Sequence, residues 1–472
     1  MVKMSRAAAA AVSLIAAAVM TAGSVFGGPE PSAAEETIEA VAEKLGTTSE
    51  KMLQSEKLQA GDAISDWLAF GAVKAGTAEN TDDYLEDLRR HVTECYEKDG
   101  YLDYVRSTEW DRISLVTLAL GGDPTCFGTD ASGKAVNLIA DGVYNWSVTE
   151  SPGFQGLNGW TYAMLALDSG CFETPEGAKY TRHAIITEII DYQSESGAFG
   201  LSKGDQQVDL TAMTLQALAP YCNSTVRYSR SDGTDISVPE VIDKALNWLS
   251  GVQLDSGGFA LEGSENAEST AQVIIALASL GIDPAKDSRF IKSGGSAASA
   301  LASFKLPGGM YSHVYDDEQD IVASSQAILA ELAMERLYLG ERRIYDLRDG
   351  SIPDEVRAFN EKLKALADDE LNAQASSLYE EYRKLDGAER SYVSEFTRLR
   401  AALERSGISL QEDDPEAAYN IRAAGTGSGR PEGGMPPFVI PLIIAAAAAA
   451  AVIAVILLRR KKKHNSGETE HV

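Results

Sequence analysis

A chain of 472 residues with 70 acidic and 42 basic side chains carries a formal net charge of −28. Its 44% hydrophobic and 24% charged content is that of a folded protein and excludes a disordered one. So acidic a surface repels polyanions, which excludes nucleic acid as a partner.

At the N-terminus, Lys3 and Arg6 precede an apolar run from Ala7 to Met20, and mostly small residues follow to Gly28. This layout predicts a secretory signal peptide over residues 1–28. From 32 to 342 the chain repeats itself. An acid followed by a small, Ala-rich apolar run occurs at Asp66 ("SDWLAFGAV"), Glu109 ("TEWDRISLVTLAL"), Asp209 ("VDLTAMTLQAL"), Glu268 ("AESTAQVIIAL") and Asp320 ("QDIVASSQAILAEL"). "NGWTYAMLAL" at Gly159 fills the third place without the acid, giving spacings of 43, 50, 50, 59 and 52 residues. A period near 50 defines a repeat architecture. The longest spacing holds the polar insert "NSTVRYSRSDGTD", which reads as a surface loop.

Upstream of each run lies an amphipathic segment closed by a Gly-containing turn, as in "AKYTRHAIITEIIDY" and "VPEVIDKALNWLSGV". "GKAVNLIADGVYNW" and "AASALASF" take the same place in the third and sixth repeats, and "AAEETIEAVAEKL" supplies the first. Each unit is thus two helices, one amphipathic and one apolar on most sides, and a helix apolar all round is buried. Six such hairpins, with the apolar helices inside, close into a ring. The expected fold class is all-α, an α/α toroid over residues 32–342.

Gln253 to Phe259, "QLDSGGF", with "ESTAQVIIALASLGIDP" after it, resembles the prenyltransferase and squalene-cyclase repeat of terpenoid cyclase-like toroids. The resemblance implies the fold and leaves the activity open. Relatives of this kind use zinc held by Asp-x-Cys, protonation by Asp-x-Asp-Asp, or a Gly-Cys-Gly-Glu-Gln thioester. Here the matching positions read Asp209-Leu210-Thr211, Asp320-Ile321-Val322 and Gly170-Cys171-Phe172-Glu173, and no Asp-x-Asp-Asp string occurs. No cofactor is implied. The string "DDEQD", with Asp316, Asp317 and Asp320, is similar to the magnesium-diphosphate motif of class I terpene synthases. Its place before an inner helix makes it a loop, which leaves three readings: magnesium-diphosphate chemistry, loosely bound calcium, or a solvated acidic turn.

The remaining candidate site residues belong to the ring's mouth. Asp66, Glu109, Asp209, Glu268 and Asp320 gather on one rim, either as an acidic mouth or as helix caps. Trp67, Trp110 and Trp160 follow the acid position, either walling a pocket or packing in the core. Tyr311 and His313 are where a lyase-type cluster would converge. Four cysteines occur in the exported part, and an oxidising compartment permits disulfides. Cys171 and Cys222 lie 12 and 13 residues beyond Gly159 and Asp209, near the same end of adjacent inner helices, and are expected to pair. Cys95 and Cys126 are the second expected pair.

Beyond the ring, apolar stripes (Val356, Phe359, Leu363; Leu371, Leu378, Tyr382; Phe396, Leu399, Leu403) predict a three-helix stalk module over 350–406, followed by a flexible linker over 407–437. Phe438 to Leu458 is 21 residues without a charge, and spans roughly 31 Å as a helix. "RRKKK" follows, so 459–472 is a cytoplasmic basic tail and the bulk lies outside. The expectation is a single-pass cell-membrane protein whose ectodomain binds an extracellular small molecule (a corrinoid, by resemblance to the transcobalamin α-domain), a glycan or a protein. The alternative is an enzyme of terpenoid cyclase, prenyltransferase or polysaccharide-lyase type.

Overall fold

The recurring turn explains how the repeats lock together. In the computed structural model, which describes residues 31–421, the Gln193 side chain donates to the carbonyls of Gly197 (3.0 Å) and Val241 (2.8 Å). Gln253 does the same to Gly257 (2.7 Å) and Phe290 (2.9 Å). Each glutamine therefore staples its own turn to the next repeat. The aromatic residue after the turn is held equally regularly. The backbone N–H groups of Phe199, Phe259 and Tyr311 donate to the hydroxyls of Thr211, Thr270 and Ser324 on the inner helices. Glycine is required in the turn because Gly197, Gly257 and Gly309 have φ near +96°, +94° and +88°. It is also required for space: a Cβ on Gly197 would meet the Lys244 carbonyl at 2.4 Å, and one on Gly257 the Ser296 carbonyl at 2.5 Å. On Gly309 it would meet Ala40 Cβ, in the first of the described helices, at 3.0 Å.

Helix accounts for 55% of the structure, and the fold is all-α. The apolar runs form α2 (Ala63–Lys74), α4 (Thr108–Ala119), α5 (Leu157–Ser169), α7 (Val208–Leu218), α9 (Ala267–Ser279) and α11 (Ile321–Leu339). The amphipathic segments form α1 (Ala33–Leu45), α3 (Thr81–Lys98), α6 (Arg182–Asp191), α8 (Val238–Val252) and the short α10 (Ala297–Ala302). Each apolar helix packs on the next, α2 on α4, α4 on α5, α5 on α7, α7 on α9 and α9 on α11. The last, α11, packs back on α2, and α1 covers both. Within the circuit a glutamine ladder joins three helices: Gln216 donates to Gln272 (2.9 Å), which donates to Gln326 (3.0 Å).

Two expected segments differ. The third amphipathic segment makes only a short π-helix, Ala140–Tyr144. There Gly142 lies against Trp110, with no room for a Cβ, which would sit 2.4 Å from that of Trp110. The polar insert is an antiparallel hairpin, β1 (Arg227–Ser229) with β2 (Asp235–Ser237), rather than a loop. Its paired Tyr228 and Ile236 are both buried, and that apolar face fixes the register.

The three predicted apolar stripes lie in a second core of α12 (Asp354–Ala365), α13 (Asp368–Lys384) and α14 (Phe396–Arg405), with Tyr382 stacked on Phe396 at 4.2 Å. This module is docked on the helix circuit. The expected linker is likewise tied down from its start to Ile421. Gln411 N–H donates to Tyr379 (2.8 Å), Asp413 pairs with Arg383 (2.6 Å), and Arg182 donates to Asn420 (2.5 Å). A short α15 (Pro415–Tyr419) follows Asp413, and Ile421 N–H closes the clasp on the Cys171 carbonyl. The sequence 407–421 lacks an apolar stripe, so polar contacts do much of the holding, helped by Ile408 and Leu410 against the second core and Tyr419 in the first. The predicted signal peptide, the rest of the linker, the transmembrane helix and the basic tail lie outside the described residues. Among the described residues no helix is long and apolar enough to cross a membrane.

Candidate functional site at the helix N-termini

Side-chain and backbone hydrogen bonds link neighbouring N-terminal ends of the circuit helices along one rim. Arg112 of α4 reaches Asp66 (2.9 Å) and the Gly61 carbonyl beside α2 (2.8 Å). Ser107 donates to Pro152 (3.0 Å), and Leu157 N–H to Leu201 (3.1 Å). The Ala267 N–H, at the start of α9, donates to the His313 carbonyl ahead of α11 (3.0 Å).

The five rim acids divide into three kinds. Asp320 is a cap: its Oδ1 accepts from the N–H groups of Val322 (2.8 Å) and Ala323 (3.0 Å). Asp66 and Glu109 belong to a buried ion network. Asp66 accepts from Arg112, Tyr84 and Gly61, and Arg112 also pairs with Glu109 at 2.8 Å. Burial nevertheless raises the Asp66 carboxyl, against the opposing pull of Arg112. The cap of α2 is Asp62 instead.

Asp209 and Glu268 are the third kind. Both are buried in the first turns of α7 and α9. Among the described residues no donor meets Asp209 Oδ1 at hydrogen-bond geometry, although the Ser269 hydroxyl stands close enough to favour the ionised carboxyl. Burial first, then the Glu268 charge, push Asp209 up to about 6, while Ser269 and His313 oppose this. Glu268 is raised by burial, and His313 Nδ1 lies 2.8 Å from both its oxygens. His313 itself is partly exposed at the mouth. Two buried carboxyl groups beside a solvent-reaching imidazole form an anionic recess.

The aromatic candidates are structural. Trp110 donates to Tyr96 of α3 (2.7 Å) and meets Trp146 edge-on at 5.1 Å, while Trp160 meets Tyr180 edge-on at 5.2 Å. Both face the covering layer. Trp67 is buried edge-on against Phe70, its neighbour on α2. Tyr311 and His313 diverge: the Tyr311 hydroxyl donates to Glu331 (2.7 Å), which also accepts from Thr37 of α1. No lyase-type cluster assembles there. The weak metal candidates do not converge either. Asp316 accepts from the Glu318 N–H, Asp317 is exposed, and Asp320 is spent on its cap. Among the described residues no group of three His, Cys, Asp or Glu side chains is placed to hold a metal ion.

The expected disulfides do not form; all four cysteines are free. Cys222 Sγ points to the Ser391 carbonyl of the helical module (3.5 Å), and Cys171 lines a cavity at the other end of the circuit. Cys95 lies 3.8 Å from His91 on its own helix, and Cys126 is exposed.

That other end is closed. The segment Glu341–Asp349 crosses it, with Leu347 N–H donating to Ser169 at the end of α5 (2.7 Å) and Arg343 to Ser279 at the end of α9 (2.5 Å). Arg342 and Arg348 alternate with Asp346 and Glu389 in a buried network at 2.6–3.2 Å. This fastens the strap to the helical module, and Tyr392 donates to Asp346. The arginines beside Asp346 hold its carboxyl down to about 2 against burial. The cavity left beneath the strap, lined by Gln216, Ser279 and Tyr345 among others, measures only about 30 Å³, room for a water or two. Larger cavities of about 330 and 350 Å³ lie at the module junction, around Arg390 and Arg400.

Sequence reasoning missed the strap, Glu331 and Asp111. Asp111 is fully buried, and burial alone holds its carboxyl well above the usual range. Acids inside the apolar runs "WDRISLV" and "ILAELAM" were the available signal. The chain matches no family model and none of the curated proteins.

Proposed function

We infer that this protein is an α/α-toroid binding or adhesion module, presented outside the cell on a C-terminal membrane anchor, whose ligand end is the N-terminal mouth. The closed helix circuit, the stapling of each turn to the next repeat and the likeness of "QLDSGGF" to the prenyltransferase-type repeat support the toroid. The apolar 438–458 segment with its basic flank supports the anchor.

The observation that carries the reading is the contrast between the two ends. One is sealed by the strap and its ion network. The other holds a buried, unpartnered Asp209 oxygen beside Glu268 and a partly exposed His313. An unsatisfied buried carboxyl costs stability, and such a cost is characteristic of binding sites. A catalytic reading has one observation in its favour: Asp209 titrates near 6 and would serve as a general acid. Against it, the family's catalytic strings are missing from the sequence, and Tyr311 turns away from His313.

The test is an array of glycans, peptides and corrinoids probed with the full-length chain and with Glu268→Gln. Binding lost in the variant supports the mouth. Binding retained there, but lost when Arg348→Ala loosens the strap, moves the site to the opposite end and refutes the assignment.

A further inference from the structure

The three loops that lead into α7, α9 and α11 are unlike the rest of the rim. "FGLSKGDQQVD" (199–209) holds two acids and one lysine, "FALEGSENAE" (259–268) three acids, and "YSHVYDDEQD" (311–320) four. The single lysine, Lys203, is paired with Asp191. The mouth itself adds the unpartnered Oδ1 of Asp209, a residue only 6% exposed. Large apolar groups stand exposed on the same rim: Tyr315 at 53%, Tyr104 at 61% and Phe154 at 51%. Tyr315 is pre-positioned. Its hydroxyl donates to Glu265 (2.8 Å), and one ring face stacks on Phe304 at 4.2 Å, leaving the other outward.

We propose that this acidic and aromatic half-rim docks a lysine- and arginine-rich segment of a partner polypeptide. One cationic head enters between Asp209 and Glu268, and another lies across the outward face of Tyr315. The assignment rests on the mouth being the ligand end. Charge complementarity selects the partner: an ammonium or guanidinium supplies the donors that Asp209 Oδ1 lacks, and it is attracted by both the loop carboxylates and the tyrosine face. A neutral glycan would stack on the aromatic rings but leave the surplus negative charge uncompensated.

The probe is a fluorescent oligolysine peptide titrated into the full-length chain at low and raised salt, with a neutral chito-oligosaccharide in parallel. Because the whole chain is acidic, a control variant, Glu361→Gln with Glu380→Gln, removes exposed charge from the helical module. Glu268→Gln should weaken peptide binding about tenfold or more, as loss of a charge-assisted contact does. Tyr315→Ala should weaken it about threefold, and the control should leave it unchanged. If Glu268→Gln does not fold, Asp316→Asn with Asp317→Asn, both exposed, carries the same expectation. Peptide binding reduced as much by the control as by the mouth variants would overturn the proposal. So would Glu268-dependent binding of the oligosaccharide without peptide binding, although that result leaves the mouth as the ligand end. If neither probe binds in a Glu268-dependent way, the docking proposal is refuted, and the ligand end itself then stands or falls with the array.

Discussion

Asp209→Asn should stabilise the protein, and only above acidic pH. Burial lifts the Asp209 carboxyl from its ordinary 3.8 to about 6, which corresponds to about 3 kcal/mol. The folded value is raised, so the unfolded chain releases its proton first. Folding stability therefore falls as pH rises from 3.8 through about 6, and stays lower above that. Asparagine keeps the shape and removes the charge. It forfeits a favourable helix-dipole contribution of about 0.3–1 kcal/mol, leaving a net gain of about 2–3 kcal/mol at pH 8 and almost none at pH 4. Glu268 and His313 face the same group and shape the curve without reversing its sign. The assay is urea unfolding of wild type and variant, followed by circular dichroism across that range. A difference that does not change with pH, or a wild type more stable than the variant above pH 6, would refute the reasoning. Such a sacrifice of stability is what the proposed ligand end would require.

The strap behaves oppositely with pH. Asp346 is held down at about 2, so its stabilisation is complete above the ordinary 3.8 and disappears as pH falls towards 2; Asp346→Ala at neutral pH should cost about 3–5 kcal/mol, read by thermal unfolding. Gly257→Ala must force a Cβ to 2.5 Å from the Ser296 carbonyl at φ near +94°, and should destabilise by at least about 1–3 kcal/mol in the same assay. Gln253→Leu leaves the Gly257 and Phe290 carbonyls without their donor, a loss of about 1–3 kcal/mol for each group stranded. Thiol titration should find Cys126 reactive in the native protein and all four cysteines reactive after unfolding; fewer than four would restore a disulfide.

Much of the fold was legible because its periodicity is written in local chemistry. The Gln, the Gly and the aromatic residue of the turn recur because each makes the same contact in each repeat, and the Ala-rich runs recur because six helices pack on one another. Position in a repeat does not fix the direction of a side chain, and there the reading divided. Trp110 and Trp160 both follow the acid position by one residue, yet they turn to the covering layer and find Tyr96, Trp146 and Tyr180. Asp320 and Asp209 share a register too. One spends its carboxylate on backbone N–H groups, and the other sits two residues further into its helix beside a neighbouring acid. The clasp at 410–421 and the strap at 341–349 were unreadable for another reason. They are held by arginine–carboxylate and side chain–backbone contacts between residues far apart in sequence, and such contacts leave no periodic trace.

The most direct measurement of the central claim, that the N-terminal mouth binds and the opposite end is sealed, is hydrogen exchange on the full-length chain with and without the oligolysine peptide. New protection is expected in residues 199–209, 259–268 and 311–320, with no change in 341–349 or 410–421. Protection concentrated in the strap or the clasp, with the three loops unaffected, would contradict it.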